Sequence, residues 1–167
     1  MKVYQTEEIK NIALLGNDGS GKTTLTESLL FEAGVIKRRG RITQHNTVSD
    51  YFPVEHEYGY SVFSTVFHTE FNGKKLNIID CPGADDFIGQ ALTALHVTDT
   101  AILLINGQVG PEVGTMNHFR YTEKLNKPVI FLINQLDAEK CDYTMSVERL
   151  RESFGSKVVQ IQYPLNE

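Results

Sequence analysis

Long apolar runs are missing from this chain of 167 residues. The longest, residues 101–105 and 129–133, are five residues each, whereas a membrane-crossing helix needs roughly 20, so no span is expected. Cysteine is scarce, and the two present, Cys81 and Cys141, stand at neither metal nor redox spacing. Residues 1–10 are polar and carry no apolar stretch or small-residue cleavage site of a leader, which places the expected home in a reducing cytoplasm. An excess of positive charge is lacking as well. Sixteen Lys and Arg face 21 Asp and Glu, a net charge of −5, so the field of the whole protein repels a polyanion and any nucleic-acid contact must be local. What is there is a 41% hydrophobic fraction, enough for one globular domain and outside the ranges of disordered, collagenous or coiled-coil chains.

Short Val- and Ile-rich runs alternate with helical stretches. That alternation predicts an α/β domain with a doubly wound, mostly parallel sheet and helices on both faces. A buried strand is expected over residues 9–15 and a helix over 22–33, which Gly34 can stop in the left-handed conformation. Residues 35–60 show no period, and so long a stretch inside a compact domain is a candidate switch. Residues 61–71 alternate like a strand, Asn72-Gly73 is a two-residue hairpin turn, and 76–79 run back, which makes one sheet edge antiparallel. Further helices are expected near 85–97, after Pro111 and over 143–154, with strands at 101–106, 129–134 and 158–161.

Three segments carry chemistry. Gly16-Asn17-Asp18-Gly19-Ser20-Gly21-Lys22-Thr23 matches G-x-x-x-x-G-K-[ST] between a strand and a helix, the context in which that pattern cradles phosphates. Its glycines let backbone N–H groups turn inward, Lys22 reaches the β and γ oxygens, and Thr23 can ligate Mg²⁺. Asp80-Cys81-Pro82-Gly83 follows a strand, so Asp80 stands at the carboxyl edge of the sheet, where ligands of open α/β folds bind. There it suits a carboxylate that holds Mg²⁺ through water. Asn134-Gln135-Leu136-Asp137 ends another strand on the same edge, and the Asp137 carboxylate can accept from the N1–H and 2-amino groups of guanine, a donor pair adenine lacks.

In this order the segments resemble the G domain of translational GTPases, specifically elongation factor G and its divergent second paralogue class. The likeness extends through Thr23-Thr24-Leu25-Thr26-Glu27, Lys37-Arg38-Arg39-Gly40-Arg41, residues 47–53, 77–87 and 128–137. It implies a ribosome-associated factor that binds GTP and GDP with Mg²⁺ and acts in translation elongation, at translocation. The nucleotide-binding set it implies is Asn17, Asp18, Gly19, Ser20, Gly21, Lys22, Thr23, Thr24, Gly83, Asn134, Gln135 and Asp137, with Thr23, Ser61 and Asp80 at the metal. It also implies a monomeric G domain over 1–167 that ends before the fifth nucleotide motif and before the factor's remaining domains.

The departures from the family pattern bear on activity. Ala84 stands where the family has a water-positioning His, and losing such a group typically costs about 10²- to 10⁴-fold in rate. Hydrolysis is therefore expected to be weak, and a factor that works by nucleotide occupancy without turnover is the alternative. His56 could fold over the nucleotide in compensation, or be a solvated loop residue. Ser61 replaces the family's metal-sensing Thr and either keeps the ligand hydroxyl or simply opens a strand. Gln135 replaces the Lys that packs on base and P-loop, and Gly19 replaces the P-loop Asp, with Asp18 beside it. The basic run Lys37 to Arg41 can meet ribosomal RNA phosphates or face solvent. An ATP-using P-loop enzyme is the remaining alternative, if Asn134 and Asp137 are incidental.

Overall fold

The structure, a computed structural model, describes residues 2–139 and 141–165. Five strands form one sheet: β1 (Ile9–Gly16), β2 (Thr65–Phe71), β3 (Lys74–Asp80), β4 (Thr100–Asn106) and β5 (Val129–Asn134). Their spatial order is β2-β3-β1-β4-β5, and only the β2/β3 hairpin is antiparallel. The left-handed Asn72 and Gly73 (φ 47° and 77°) make its tight turn, as the Asn-Gly pair demands.

Alternation along the central strands sorts the core into two layers. Ala13 and Leu15 of β1 and Leu103 of β4 share one face with Ala91, Ala94 and Leu95 of α3 (Ile88–Val97). Phe119 of α4 (Val113–Lys124) stacks on Phe131 of β5 over the same face, and Phe154 of α5 (Tyr143–Phe154) closes on both. The opposite face carries Leu14, Ile78 and Leu104, which pack with Leu25 of α1 (Lys22–Glu32). Side chains of a strand point to opposite faces with a period of two, so a central strand buried on both sides reads as a continuous apolar run. Because β1, β3, β4 and β5 are mutually parallel, their carboxyl ends deliver Gly16, Asp80, Asn106 and Asn134 to one edge.

Three expectations are corrected. Residues 158–161 form no strand; Val159 and Ile161 stand 74% and 78% exposed. Their β-branched composition favours extension, but such propensity acts through packing on a sheet, which they lack here. Strand β2 opens at Thr65, not at residue 61. The amides of Val62 and Phe63 donate to the Glu55 carboxylate and that of Ser64 to Gln90 Oε1, so side chains take the place of ladder partners.

The aperiodic stretch 35–60 is likewise far from structureless. It contains a 3₁₀ turn, Ile42–Gln44, and a short helix α2 (Pro53–Tyr58) that ends at Gly59 with φ 74°. Its order comes from buried carboxylates. Glu27 on α1, 1% exposed, accepts from the amides of Gly40 and Val48 at 2.6 and 2.5 Å. Glu55, 2% exposed, ties α2 to residues 62 and 63. Arg39 Nη1 donates to Ser28 Oγ at 3.1 Å and its guanidinium lies 5.9 Å from the Phe31 ring centroid. The stretch is strapped to α1 by side-chain acceptors that a periodicity search does not see.

Removing one strap is a direct check. Glu27→Ala leaves two backbone donors without their acceptor and should cost about 2 kcal/mol, with faster tryptic cleavage at Lys37, Arg38, Arg39 and Arg41. Unchanged proteolysis and melting would show that the strap carries no energy.

Candidate functional site

The loop from β1 to α1 coils through three left-handed glycines, Gly16, Gly19 and Gly21, at φ 132°, 73° and 95°. Gly21 matters most. A Cβ there would fall on Asn134 Nδ2, and the space it leaves open lets Asn134 donate to Ser20 O at 2.9 Å. Next to it Gln135, itself left-handed at φ 59°, donates through Nε2 to Gly19 O at 2.8 Å. The segment after β5 therefore grips the P-loop by two adjacent carbonyls. Gln135 cannot provide the aliphatic stem and ammonium of the family Lys, but its shorter amide still reaches the loop. What it lacks is the positive charge.

A second grip comes from the turn after β3. Gly83 is buried, and a Cβ on it would meet Lys22 Nζ, with Asp18 N at 2.6 Å and Asn17 C at 2.7 Å. Only glycine permits this approach. Lys22, 6% exposed, donates to Gly16 O at 3.1 Å and Asn17 O at 2.8 Å, so its ammonium lies along the inside of the loop. Burial lowers its pKa, and the nearby Asp80 and Asp18 carboxylates oppose that shift.

Four oxygen-bearing side chains meet beside it. Thr23 Oγ1 donates to Asp80 Oδ2 at 3.0 Å, and Ser61 Oγ donates to Asp50 Oδ1 at 2.7 Å. The two hydroxyl oxygens lie 3.3 Å apart. Each hydroxyl oxygen keeps lone pairs besides its one hydrogen, so the pair, set against Asp80 and Asp50, can share a hydrogen bond or face a cation. Among the described residues the buried Asp80 Oδ1 makes no hydrogen bond of normal length, although the Ser49 hydroxyl is near enough to favour its charged form. This donor set fits Mg²⁺, whose ligands at ~2.1 Å in octahedral geometry put neighbouring oxygens about 3 Å apart. Among the described residues no group of three or more His, Cys, Asp or Glu could hold a metal, so such an ion would rely on hydroxyls, water and ligand phosphate. Burial raises the Asp80 pKa to about 7 despite the opposing pull of Lys22. Burial also raises that of Asp50, against the bond from Ser61.

These groups open onto a cleft of about 220 Å³. Of the residues expected from sequence, Asp18, Gly19, Gly21, Lys22, Thr23, Thr24, Ser61, Gly83 and Gln135 line it. Asn17, Ser20, Asp80 and Asn134 are not among the residues that line it. Asp137 is exposed on the turn beyond Gln135 and outside the cleft. The cleft is also lined by Ile42, Asp50, Gly59 and Tyr60 from the strapped stretch, none of which is in the expected site set. Asp50 lies eleven residues before Ser61 in a segment without period, and only the tertiary course of the stretch reveals the pair. Tyr60 links the stretch to the turn after β3 through a tilted contact with Phe87 at 6.4 Å.

Ala84 caps the 3₁₀ turn Asp85–Phe87, and no histidine lines the cleft. His56 does not fold over it; Nε2 sits 2.7 Å from Asp50 O and the ring lies 4.9 Å from that of His45. Cys81 is wholly buried, and burial pushes its thiol up to about 12, which agrees with a packing role.

With this geometry in place, comparison with known proteins decides the family. Residues 7–164 match the model of the elongation factor Tu GTP binding domain. The chain belongs to that family. It is 33% identical over 159 residues to an elongation factor G-like protein of Thermotoga maritima, covering 95% of this chain and 22% of the relative. It is 35% identical over 156 residues to the tetracycline resistance protein TetP of Clostridium perfringens, covering 93% and 24%. It is 34% identical over 159 residues to the mitochondrial ribosome-releasing factor 2 of Drosophila willistoni, again covering 95% and 22%. A crystal structure of a Thermus thermophilus protein superposes with a TM-score of 0.86 at 36% identity, over 89% of this chain and 22% of that one. The chain thus spans about a fifth of the length of these relatives and is a GTP-binding domain of the elongation-factor-G-like kind. No helix among the described residues is long and apolar enough to cross a membrane.

The raised Asp80 pKa has a signed consequence. In metal-free, nucleotide-free protein its carboxyl holds a proton that the unfolded chain has already lost, so this contribution is full below about pH 4 and vanishes as pH rises to about 7. Asp80→Asn should therefore melt higher than wild type at pH 8, with the gap closing towards pH 5, and Mg²⁺ should raise only the wild-type melting temperature. A gap independent of pH would contradict the burial account.

Proposed function

We propose that this domain is the guanine-nucleotide switch of an elongation-factor-G-like protein that acts on the ribosome during translation elongation, at translocation. The observation that carries the reading is the grip of Asn134 and Gln135 on the P-loop carbonyls of Ser20 and Gly19, which links the segment suited to guanine with the segment suited to phosphate. In this reading Lys22 and the amides of residues 17–24 bind the phosphates, and Gly83 closes on them. Thr23 and Ser61 supply hydroxyl ligands to Mg²⁺, and Asp80 holds its water. Mg²⁺ when bound would neutralise charge on the β- and γ-phosphates. Asn134 and Asp137 select guanine, and Gln135 supports the loop without a cation.

The partner is the ribosome, engaged through the complete protein as a monomer in the cytoplasm. Lys37, Arg38 and Arg41 are exposed on the strapped stretch, and their concentration in an otherwise acidic protein suits a local contact with ribosomal RNA phosphates. A second reading is supported by Ala84 and by a cleft with no histidine in its lining. In it the domain works by GTP or GDP occupancy, with hydrolysis slow or absent.

Single-turnover GTP hydrolysis by the intact protein, with and without ribosomes, tests both. Weak turnover that Ala84→His raises by about 10²-fold or more supports the occupancy reading. Lys22→Ala should abolish nucleotide binding in either case. Brisk wild-type turnover would overturn the inference from Ala84, and ADP binding as tight as GDP would overturn the guanine assignment.

A further inference from the structure

We infer that His118 is a positioning residue for the P-loop, acting through a neutral imidazole whose Nδ1 fixes the first glycine of the phosphate-binding turn. The inference rests on the nucleotide-binding reading above. His118 is on α4, 1% exposed, and Nδ1 accepts a hydrogen bond from the amide of Gly16 at 3.2 Å. An acceptor at that nitrogen requires the tautomer protonated on Nε2, whose buried N–H meets no acceptor among the described residues. Gly16 is held on its other sides too. A Cβ on it would clash with Leu104 O, and its own carbonyl accepts from Lys22 Nζ at 3.1 Å. One residue therefore joins the imidazole, through its N–H, to the phosphate-reaching ammonium, through its C=O.

The neighbours of His118 on α4 extend the same grip. A helix presents residues three and four apart on one side, and here that side carries Gly114, Asn117 and His118. A Cβ on Gly114 would strike Asn17 Oδ1, with Gly83 O at 3.5 Å, and Asn117 Nδ2 donates to Asp85 Oδ1 at 3.2 Å. Along little more than one turn, α4 touches the P-loop twice and the segment after Asp80 twice. His118 is the member that fixes a backbone amide of the loop. Burial, with Lys22 acting in the same direction, keeps its pKa down at about 4, so the acceptor persists at neutral pH.

Three substitutions separate positioning from packing. Asn carries its Oδ1 where the Nδ1 of His lies, Leu offers a methyl there, and Gln carries its amide near the position of Nε2. GDP affinity of the intact protein with Mg²⁺ should fall about tenfold in His118→Leu and in His118→Gln, and stay within about threefold of wild type in His118→Asn. Stability should run the other way, because Leu fills the buried site and favours helix more than Asn does. GDP binding that follows melting temperature across the three variants would overturn the inference. Imidazole ¹⁵N chemical shifts of the wild type give a readout that needs no variant. An unprotonated Nδ1 is expected, and an Nδ1–H tautomer would overturn the assignment. Failure of the wild type itself to bind GDP would instead refute the nucleotide reading, leaving the NMR result to judge His118.

Discussion

The site depends on approaches to glycine backbone that are closer than any Cβ would allow. At Gly21 a Cβ would occupy the position of Asn134 Nδ2, and at Gly83 it would meet the Lys22 ammonium. Steric absence at these two positions makes room for everything else: the amide bonds from Asn134 and Gln135 to Ser20 O and Gly19 O, and the seating of the turn after Asp80 against Asn17 and Asp18. Because these contacts run through carbonyls and missing atoms, the P-loop is shaped by its neighbours as much as by its own glycines. An Ala at Gly83 would push the turn after β3 off the P-loop backbone, and one at Gly21 would displace the Asn134 amide and strain a left-handed backbone.

Polar burial organises the rest. Glu27 and Glu55 are almost wholly buried, yet each accepts two or more backbone N–H bonds, the arrangement under which a buried carboxylate stabilises rather than destabilises. They hold the stretch 35–60 over the phosphate side of the cleft and bring Asp50 and Ser61 to Thr23. Asp80 differs. One of its oxygens is bonded to Thr23, and the other makes no hydrogen bond of normal length among the described residues, with only the Ser49 hydroxyl nearby, a cost that a cation can relieve. The contrast between satisfied and unsatisfied carboxylates marks where the fold is self-sufficient and where it awaits a ligand.

What could be read in the sequence was local. The G-x-x-x-x-G-K-T run, the strand ends at Asp80 and Asn134, and the Asn-Gly hairpin each declare their geometry within a few residues, and the mostly parallel character of the sheet follows from the alternation of strands with helices. The contributions of Asp50, Ile42, Tyr60 and His118 are not local. His118 looks like any residue on a helical stripe until β1 and α4 are packed together, and Asp50 meets Ser61 only because Glu27 and Glu55 bend an aperiodic stretch into place. The expected strand over 158–161 failed for the converse reason, since β-branched residues declare extension but not a partner. Gln135 shows a third case: a residue without the family charge that nevertheless hydrogen-bonds the P-loop, which the residue type alone does not reveal.

The segment ending β5 shapes the P-loop before any nucleotide arrives. Amide hydrogen exchange of residues 19–22 in nucleotide-free protein, wild type against Asn134→Ala, tests it most directly. The account predicts faster exchange across these amides in the variant, with β1 and α5 unchanged. Identical exchange in the two proteins would contradict it and would reduce Asn134 to a residue that acts only on the base.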